Sequence, residues 1–557
     1  MSEYLMLNAT ECSHCYKCIR NCPVKAIRFS QNQAAIIEQE CILCGRCFVA
    51  CPQKAKSIRD NRADISALIK SGRRVVVSLA PSFIANFPGT GLEGMRIALQ
   101  ELGFSDVQET AVGATLVKAR YDEMVNNEEK SVVISSCCPS VNMLIQKHYP
   151  ATLPFTAGIL SPMLAHGAMI KKSDPEALVV FIGPCISKKA EAEQYPGIID
   201  GVLTFDELNR WMNEEALIPQ QLETPHNAIR ARLFPVAGGV LRTMHKDNPN
   251  YSYMSIDGAE ECMNALEDVI NGRVSNCFIE MSVCRGSCIG GPVMDHENGL
   301  VHHYAAVDIS TGQAEPEAEK LSAAELEKQI NFQSIARPRF AQSAIDDVLL
   351  QIGKTSPADE LNCGCCGYDT CREKAQAVLA GKADLSMCLP YLMNRAKSFS
   401  DTIISNTPNG IIVIDDELDI QQINAAAMRL FNIRASADVL GRHVICLMDP
   451  KPFIRAIESS TSQPERRVFF AEYDIYVMLS VIRDATLGLS IALMRDVTQL
   501  ERDRNRKKHI NEQTIAVTDK VIQNQMKTVQ EIASLLGETA AETKIALTKL
   551  KETLYDE

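Results

Sequence analysis

The sequence predicts a multidomain chain of α+β and α/β units, in which two small cysteine-rich units flank a two-lobed α/β domain and a later α+β domain leads into a terminal helix. Three observations predict this. Eight of the 21 cysteines form two matching runs within the first sixty residues. From about residue 72, short β-rich runs alternate with amphipathic helices, an α/β pattern. The 557 residues are too many for one core, so about three to five domains are expected. The composition, 46% hydrophobic and 23% charged, is that of soluble globular domains. A net charge of -12 argues against nucleic acid as a partner, because binding phosphate needs a basic face. No stretch is apolar and long enough to span a bilayer, and Met1 to Thr10 shows no basic segment followed by an apolar run. The cytoplasm is therefore the expected location, and there clustered cysteines read as metal or cluster ligands rather than disulfides.

Cys12-x2-Cys15-x2-Cys18-x3-Cys22-Pro23 is repeated as Cys41-x2-Cys44-x2-Cys47-x3-Cys51-Pro52. Thiolate sulfur suits iron–sulfur clusters, and three cysteines at this spacing can wrap one cube. The fourth cysteine of each run ligates the other cluster. Cluster one is then assigned to Cys12, Cys15, Cys18 and Cys51, and cluster two to Cys41, Cys44, Cys47 and Cys22. The alternative is a pair of structural zinc sites. The segment resembles a bacterial two-cluster ferredoxin.

Four runs further on read as buried strands: Val75–Leu79, Val132–Ser135, Leu178–Ile182 and Cys277–Glu280. Three of them are followed within a few residues by cysteine: Cys137 and Cys138, Cys185, and then Cys284 and Cys288. In open α/β sheets, ligands bind outside the carboxyl ends of the strands. Cysteines far apart in sequence can therefore converge there.

Ser135-Ser136-Cys137-Cys138-Pro139, Gly183-Pro184-Cys185-Ile186-Ser187-Lys188-Lys189 and Glu280-Met281-Ser282-Val283-Cys284-Arg285-Gly286-Ser287-Cys288 resemble the three signatures of iron–iron (FeFe) hydrogenases. The resemblance covers roughly residues 75 to 300. It implies an H-cluster, in which a 4Fe-4S cube is bridged to a two-iron subsite carrying CO, cyanide and a dithiolate amine. Its ligands would be Cys138, Cys185, Cys284 and Cys288, with Cys288 as the bridge. Cys137 matches the thiol that passes protons to the amine, and Lys188 the lysine that holds a cyanide. These roles suit the residue types: a thiol can relay a proton in an apolar pocket, and an ammonium is a compact cation.

The sequence also departs from the family. Gly183 and Ser282 stand where hydrogen-producing members usually carry methionine. Met163, in Ser161-Pro162-Met163, replaces a common glutamine. Two glutamates of the usual proton route fall on Tyr121 and Met124, and a serine of that route on Ala157, whereas Glu191 is retained. Losing acid–base groups from a relay slows turnover, since such transfer is worth roughly 10²–10⁴-fold. The resemblance thus implies a slow hydrogenase; the alternative is a different proton route with ordinary speed.

Residues around 312 to 360 read as polar and helical, packing back on the catalytic domain. Cys363-Gly364-Cys365-Cys366-Gly367-x3-Cys371, with Cys388-Leu389-Pro390 after it, resembles a small 4Fe-4S domain of several redox proteins. Its ligands would be Cys363, Cys366, Cys371 and Cys388, leaving Cys365 spare, with zinc as the alternative. Asn409-Gly410-Ile411-Ile412-Val413-Ile414-Asp415, Ile423-Asn424-Ala425-Ala426-Ala427 with Leu430-Phe431, and Asp496-Val497-Thr498-Gln499-Leu500-Glu501-Arg502 resemble a PAS sensory domain. His443 reads as structural or exposed rather than as a haem ligand, and Cys262, Cys277 and Cys446 read as core residues. Ile522, Met526, Val529, Ala533, Leu536 and Ala540, continued by Leu547, Leu550 and Leu554, form a heptad-like stripe suited to helix pairing and a homodimer. The alternative is one helix packed on its own PAS domain. The Arg502 to His509 charge run reads as a solvated face.

The boundaries expected are a two-cluster ferredoxin domain at 1–62, an H-cluster domain at 72–345, a small 4Fe-4S domain at 346–398, a PAS domain at 399–500 and a C-terminal signalling or coiled-coil helix at 501–557. Three further 4Fe-4S clusters accompany the H-cluster. The partners that the resemblance implies are H2 and protons, a ferredoxin-like electron carrier, hydrogenase maturation proteins, and a kinase or phosphatase as a separate signalling protein. No nucleic-acid or membrane partner is expected. The first functional expectation is a slow hydrogenase that senses H2 or redox state. A metabolic ferredoxin-linked hydrogenase is the second. A hydrogenase-like assembly or scaffold protein without the two-iron subsite is the third, and Cys137 and Lys188 argue against it.

Overall fold

Runs of β-branched residues without a polar face become central strands, and these position the chemistry. The computed structural model describes residues 4–30, 33–222, 228–316 and 321–553. It divides into two units, Met1–Leu392 and Met393–Glu557.

The first segment carries strands β1 (Leu5–Leu7), β2 (Ile27–Ser30), β3 (Gln33–Ile36) and β4 (Lys56–Ile58), with β1 antiparallel to β4 and β2 to β3. Each cysteine run turns into a four-residue helix, Lys17–Arg20 and Arg46–Val49. Gly45 precedes the second helix at φ +73, and a Cβ there would lie 2.5 Å from Pro292 Cβ and 2.9 Å from Ile186 Cδ1. The segment therefore packs tightly on the α/β domain through bare backbone. Gly45→Ala adds left-handed strain to overpacking, together about 2–4 kcal/mol. Earlier unfolding of the first unit in a denaturant titration is expected. An unchanged midpoint would mean that the two faces do not meet.

The α/β domain holds β5 (Val75–Leu79), β6 (Asp106–Glu109), β7 (Val132–Ile134), β8 (Leu178–Gly183), β9 (Gly201–Thr204), β10 (Ser252–Asp257) and β11 (Cys277–Ser282). They form two parallel sheets, ordered β6-β5-β8-β9 and β10-β11-β7. Every residue of β5, β8 and β11 is buried, as expected for parallel strands covered on both faces. The four expected strands are present. Val132–Ser135 ends one residue early, because Ser135 turns its Oγ to accept from Met281 N at 3.0 Å.

The stretch from 312 to 360 is less helical than expected. Within its described residues only Ala323–Leu326, Gln342–Gln351 and a 3₁₀ turn at Pro357–Asp359 are helical. Between the first two helices runs an irregular strap held by main-chain bonds, Leu160 N to Leu326 O at 2.7 Å and Lys328 N to Gly158 O at 2.7 Å. Backbone groups satisfied by neighbouring loops need no helix. Helices Gln342–Gln351 and Cys371–Leu379 then build a small core from Ile345, Val348, Leu349, Ala375 and Cys388.

The second unit is an antiparallel five-stranded sheet of β12 (Gly410–Ile414), β13 (Ile420–Ile423), β14 (Gln463–Phe470), β15 (Ile475–Asp484) and β16 (Leu489–Asp496), in the order β13-β12-β16-β15-β14. Burial alternates along β12 and β16, so one face meets the core around Ile412, Phe453 and Met494. Asn424 Oδ1 accepts from Ala427 N and from Ile411 N, each at 2.8 Å, which ties the helix Ala425–Leu430 to the first strand. His443 is exposed, and its Nδ1 accepts from Ile445 N. Cys262 and Cys277 are buried, but Cys446 is exposed and not a core residue, because it ends a short 3₁₀ turn whose buried member is Val444.

The chain ends in a helix over Thr498–Thr553. Ile522, Met526, Val529, Ala533, Leu536, Ala540, Leu547 and Leu550 are all exposed on it, so the stripe does not pack on its own sheet; Leu554 lies outside the described residues. Among the described residues, no helix is long and apolar enough to cross a membrane.

Candidate active site

The ends of three strands, β7, β8 and β11, open onto one cleft between the two sheets. Beyond β7, the backbone turns at Cys137 and Cys138, and Cys138 stands as N-cap of the helix Pro139–His148. Beyond β8, Pro184 and Cys185 precede the helix Ser187–Gln194. Beyond β11 come Cys284 and, after Gly286 at φ +77, Cys288 in the 3₁₀ turn Ser287–Gly290. Glycine takes that left-handed conformation without strain, and it turns the chain back so that both thiols face the cleft.

Cys137, Cys138, Cys185, Cys284 and Cys288 all line this cleft together with Lys188. Its other walls are largely apolar, with Met163, Phe181, Phe234 and Val240 among them. Cys288 is accessible through the cleft yet surrounded by dense protein. Burial pushes the Cys138, Cys284 and Cys288 thiols up, that of Cys288 to about 12, with the neighbouring thiols adding to the effect. Bare thiolates are thus disfavoured here, and four of them are stable together only against bound cations. This is the donor set an iron–sulfur cube needs.

Lys188 and Glu191 share one face of their helix at i and i+3, where Lys188 Nζ meets Glu191 Oε2 at 2.6 Å. The other carboxylate oxygen meets Lys328 Nζ at 2.9 Å, and Ser161 Oγ donates to Oε2 at 2.8 Å. Burial works to raise the Glu191 carboxyl, but the two ammoniums overcome it and hold the group at about 2. Lys328 arrives on the irregular strap and also donates to Ser136 O at 3.1 Å. Nothing in the sequence singled it out, since it is one lysine in a polar stretch without periodicity.

Tyr121, read from the sequence as a lost carboxylate, brings a hydroxyl instead. Its OH lies 3.1 Å from Cys137 Sγ and accepts from Ser136 N at 3.0 Å. Burial pushes the Cys137 thiol to about 11, with the Tyr121 hydrogen bond pulling the other way. Glu280 also lines the cleft; burial raises its carboxyl to about 7, against three backbone N–H groups that favour its anion. Met124 is buried, as are Met163 and Ala157, and none offers a titratable group.

The remaining cysteine sets converge as grouped from their spacing. Cys12, Cys15, Cys18 and Cys51 line one small cavity. Cys22, Cys41, Cys44 and Cys47 line another. Cys363, Cys366, Cys371 and Cys388 line a third, together with Cys365. All 21 cysteines are free thiols.

Residues 73–292 match the family described as the iron only hydrogenase large subunit, C-terminal domain. Residues 4–52 match a 4Fe-4S dicluster domain, 359–390 an Fe-S cluster family and 398–468 the PAS fold. The chain is 24% identical over 370 residues to the NADP-reducing hydrogenase subunit HndD of Solidesulfovibrio fructosivorans, covering 54% of this chain and 57% of that one. It is 25% identical over 263 residues to the periplasmic [Fe] hydrogenase large subunit of Nitratidesulfovibrio vulgaris, covering 36% of this chain and 62% of that one. It thus spans less than two thirds of either relative. A variant of the [FeFe]-hydrogenase HydA1 from Chlamydomonas reinhardtii is 16% identical, with 49% of this chain and 98% of that one covered and a TM-score of 0.39, too low to inform the site. On these matches the chain carries the C-terminal domain of the iron-only hydrogenase large subunit, joined to a 4Fe-4S dicluster domain, a further Fe-S segment and a PAS domain.

Proposed function

We propose that the chain is an FeFe hydrogenase that interconverts H2 with two protons and two electrons at low turnover and reports H2 or redox state through its PAS domain. One observation carries the reading: cysteines from three distant strand ends line a single apolar cleft together with Cys137 and Lys188. Cys138, Cys185, Cys284 and Cys288 would hold the H-cluster, with Cys288 as the bridge to the two-iron subsite. The bound centre supplies the making and breaking of the H–H bond, and the protein supplies orientation, charge and proton access. The three smaller cysteine cavities would each hold a 4Fe-4S cluster.

Lys188 presents an ammonium to the cleft. Glu191 is retained by resemblance as an acid of the proton route; its two ion pairs support reading it instead as the group that orients Lys188. Flanked by two ammoniums and ionised down to about pH 2, it is a poor proton carrier and serves to aim Lys188. Cys137 Sγ is the group that hands a proton inward. Behind it the Tyr121 hydroxyl is in hydrogen-bond range, and Glu280, with its carboxyl near 7, can exchange protons at neutral pH. A hydroxyl raised well above its usual range by burial passes protons more slowly than a carboxylate, which supports low turnover.

Tyr121→Phe removes the oxygen while keeping the ring. A further loss of turnover of about tenfold or more is expected, with iron content unchanged; full activity would exclude the hydroxyl from the path. Infrared spectra of the matured protein test the reading itself. CO and cyanide bands that change at H2 levels too low to support metabolic flux are the expected result. Turnover as fast as that of dedicated producers would favour a metabolic ferredoxin-linked enzyme. Absence of the bands would favour a scaffold without the two-iron subsite. The free thiols throughout fit a reducing compartment, so the cytoplasm is the proposed location. A ferredoxin-like carrier, maturation proteins and a kinase or phosphatase are the proposed partners. The exposed terminal stripe is proposed to pair with that of a second copy.

A further inference from the structure

The small cysteine domain is docked rather than tethered. Gly367 has φ +93, and a Cβ there would lie 2.8 Å from Ile19 Cγ2 and 3.2 Å from Arg20 N, so the bare backbone of the small domain packs directly on the Ile19 side chain. Around this contact, Arg20 Nη1 donates to Cys365 O at 2.9 Å and Lys25 Nζ to Gly367 O at 2.8 Å. Phe29 N donates to Lys382 O at 2.7 Å, and Lys382 pairs with Glu40 at 2.6 Å. These bonds join Arg20, Lys25, Phe29 and Glu40 of the ferredoxin segment to Cys365, Gly367 and Lys382 of the small domain, and so fix its orientation.

Tyr368 sits at the centre of the contact. It is 4% exposed and belongs to the same core as Ile19, Cys22, Phe29 and Cys47. Its ring also walls the cavity of Cys363, Cys366, Cys371 and Cys388. Its hydroxyl is buried and has no hydrogen-bond partner in the protein. Cys366, Cys22 and Glu40 all act on that hydroxyl electrostatically. An unpartnered buried hydroxyl costs stability unless something accepts from it, and a thiolate-bound centre in the Cys363, Cys366, Cys371 and Cys388 cavity, which Tyr368 lines, could do so.

The chain of neighbours continues in the other direction. Cys44 lines both the Cys22 cavity and the large cleft, where it is close enough to act on Cys284. From the cleft outward the order is therefore Cys284, Cys44, Cys22, Tyr368 and Cys366. The Cys12, Cys15, Cys18 and Cys51 cavity also borders the small domain: Ile19 lines it, and Arg20 donates to Cys15 O at 3.1 Å as well as to Cys365 O.

We propose that the Cys363, Cys366, Cys371 and Cys388 site is an electron branch. It exchanges single electrons with the cleft through the Cys22, Cys41, Cys44 and Cys47 site, with Tyr368 as the point of contact. In each exchange one site is oxidised by one electron, the next is reduced by one, and no proton moves. Tyr368 is a positioning residue whose hydroxyl favours the more negative, reduced state of a neighbouring thiolate-bound centre. The proposal rests on the cluster reading of these cysteines.

The full chain, made without maturation proteins and reconstituted anaerobically with iron and sulfide, provides the test. Electron paramagnetic resonance of the chemically reduced protein is expected to show mutual spin broadening between the small-domain cluster and that of the Cys22 site. Gly367→Val should abolish the broadening at unchanged iron and sulfide content. Tyr368→Phe keeps the packing and serves if Gly367→Val does not fold; there the midpoint potential of the small-domain cluster should fall. A wild-type spectrum equal to the sum of isolated clusters, or potentials unmoved in Tyr368→Phe, overturns the branch alone. An iron and sulfide content lacking one cluster, removed no further by Cys371→Ala, overturns the cluster reading and the branch together.

Discussion

Cys137→Ala should lower H2 turnover by about 10²–10⁴-fold, the range associated with removing one acid–base group from a transition state. Cluster loading should be untouched, because Cys138, Cys185, Cys284 and Cys288 keep their places in the cleft. The site explains the size of the effect. Cys137 Sγ is enclosed and lies 3.1 Å from the Tyr121 hydroxyl, and the walls on the sequence-expected route, Met124 and Ala157, carry no acid or base. Among the described residues, the one other thiol lining the cleft is Cys44, which is assigned to the Cys22, Cys41, Cys44 and Cys47 site. Proton exchange measured with deuterium gas, beside iron content and infrared bands, separates the relay from the scaffold. Unchanged exchange would defeat the assigned role. Cys137→Ser should recover little, since a hydroxyl gives up its proton far less readily than a thiol.

Glu191→Gln is expected to cost about 3–5 kcal/mol of stability, the range for breaking a buried ion pair and leaving its partner uncompensated. The carboxylate bridges Lys188 and Lys328, all three side chains being almost fully buried. The amide keeps the volume but removes the negative charge, so two ammoniums remain with only Ser136 O, Cys137 O and a neutral carbonyl to face. The sign of the pH dependence follows. The carboxyl is depressed from 4.5 to about 2 in the folded chain, so its stabilisation is complete above pH 4.5 and fades as pH falls towards 2. That shift corresponds to about 3 kcal/mol. The gap between wild type and Glu191→Gln should therefore be largest at pH 5–7 and close by about pH 2. Denaturant titrations of the first unit at pH 7, 5 and 3 measure it, and a gap independent of pH would contradict the bridging role. Lys188 should also lose its orientation, so infrared cyanide bands should shift even at pH 7.

The parallel strands were legible because their runs are apolar on both faces, which only burial between layers explains; Val75–Leu79 agrees to the residue. The cysteine groupings were legible because cluster ligation demands short fixed spacings, and Cys51 and Cys22 do cross to the other set's cavity. What stayed hidden is whatever depends on backbone without periodicity. Lys328 reaches Glu191 on a strap with no regular structure, and the same polar composition suggested helix over 312–360. Tyr121 was read by what it lacks, since alignment to a carboxylate position says nothing of how far a phenol extends. Tyr368 carried no motif at all, and its meaning comes from two segments about 350 residues apart meeting at Ile19 and Gly367. Cys446 shows the limit of composition: cysteine is usually buried, yet a lone one on a 3₁₀ turn is not.

The thiols of the cleft hang from strands of two separate parallel sheets, and β7 is paired to β11, some 145 residues later. During synthesis, then, no partial chain can present the complete ligand set: the second sheet closes only after Ser282 has emerged, and Cys288 follows it. Whatever all four thiols hold together can therefore be seated only in a receptacle whose last strand is already in place, late in the life of the nascent protein. A chain cut short before Cys288 is expected to lack part of the proposed ligand set.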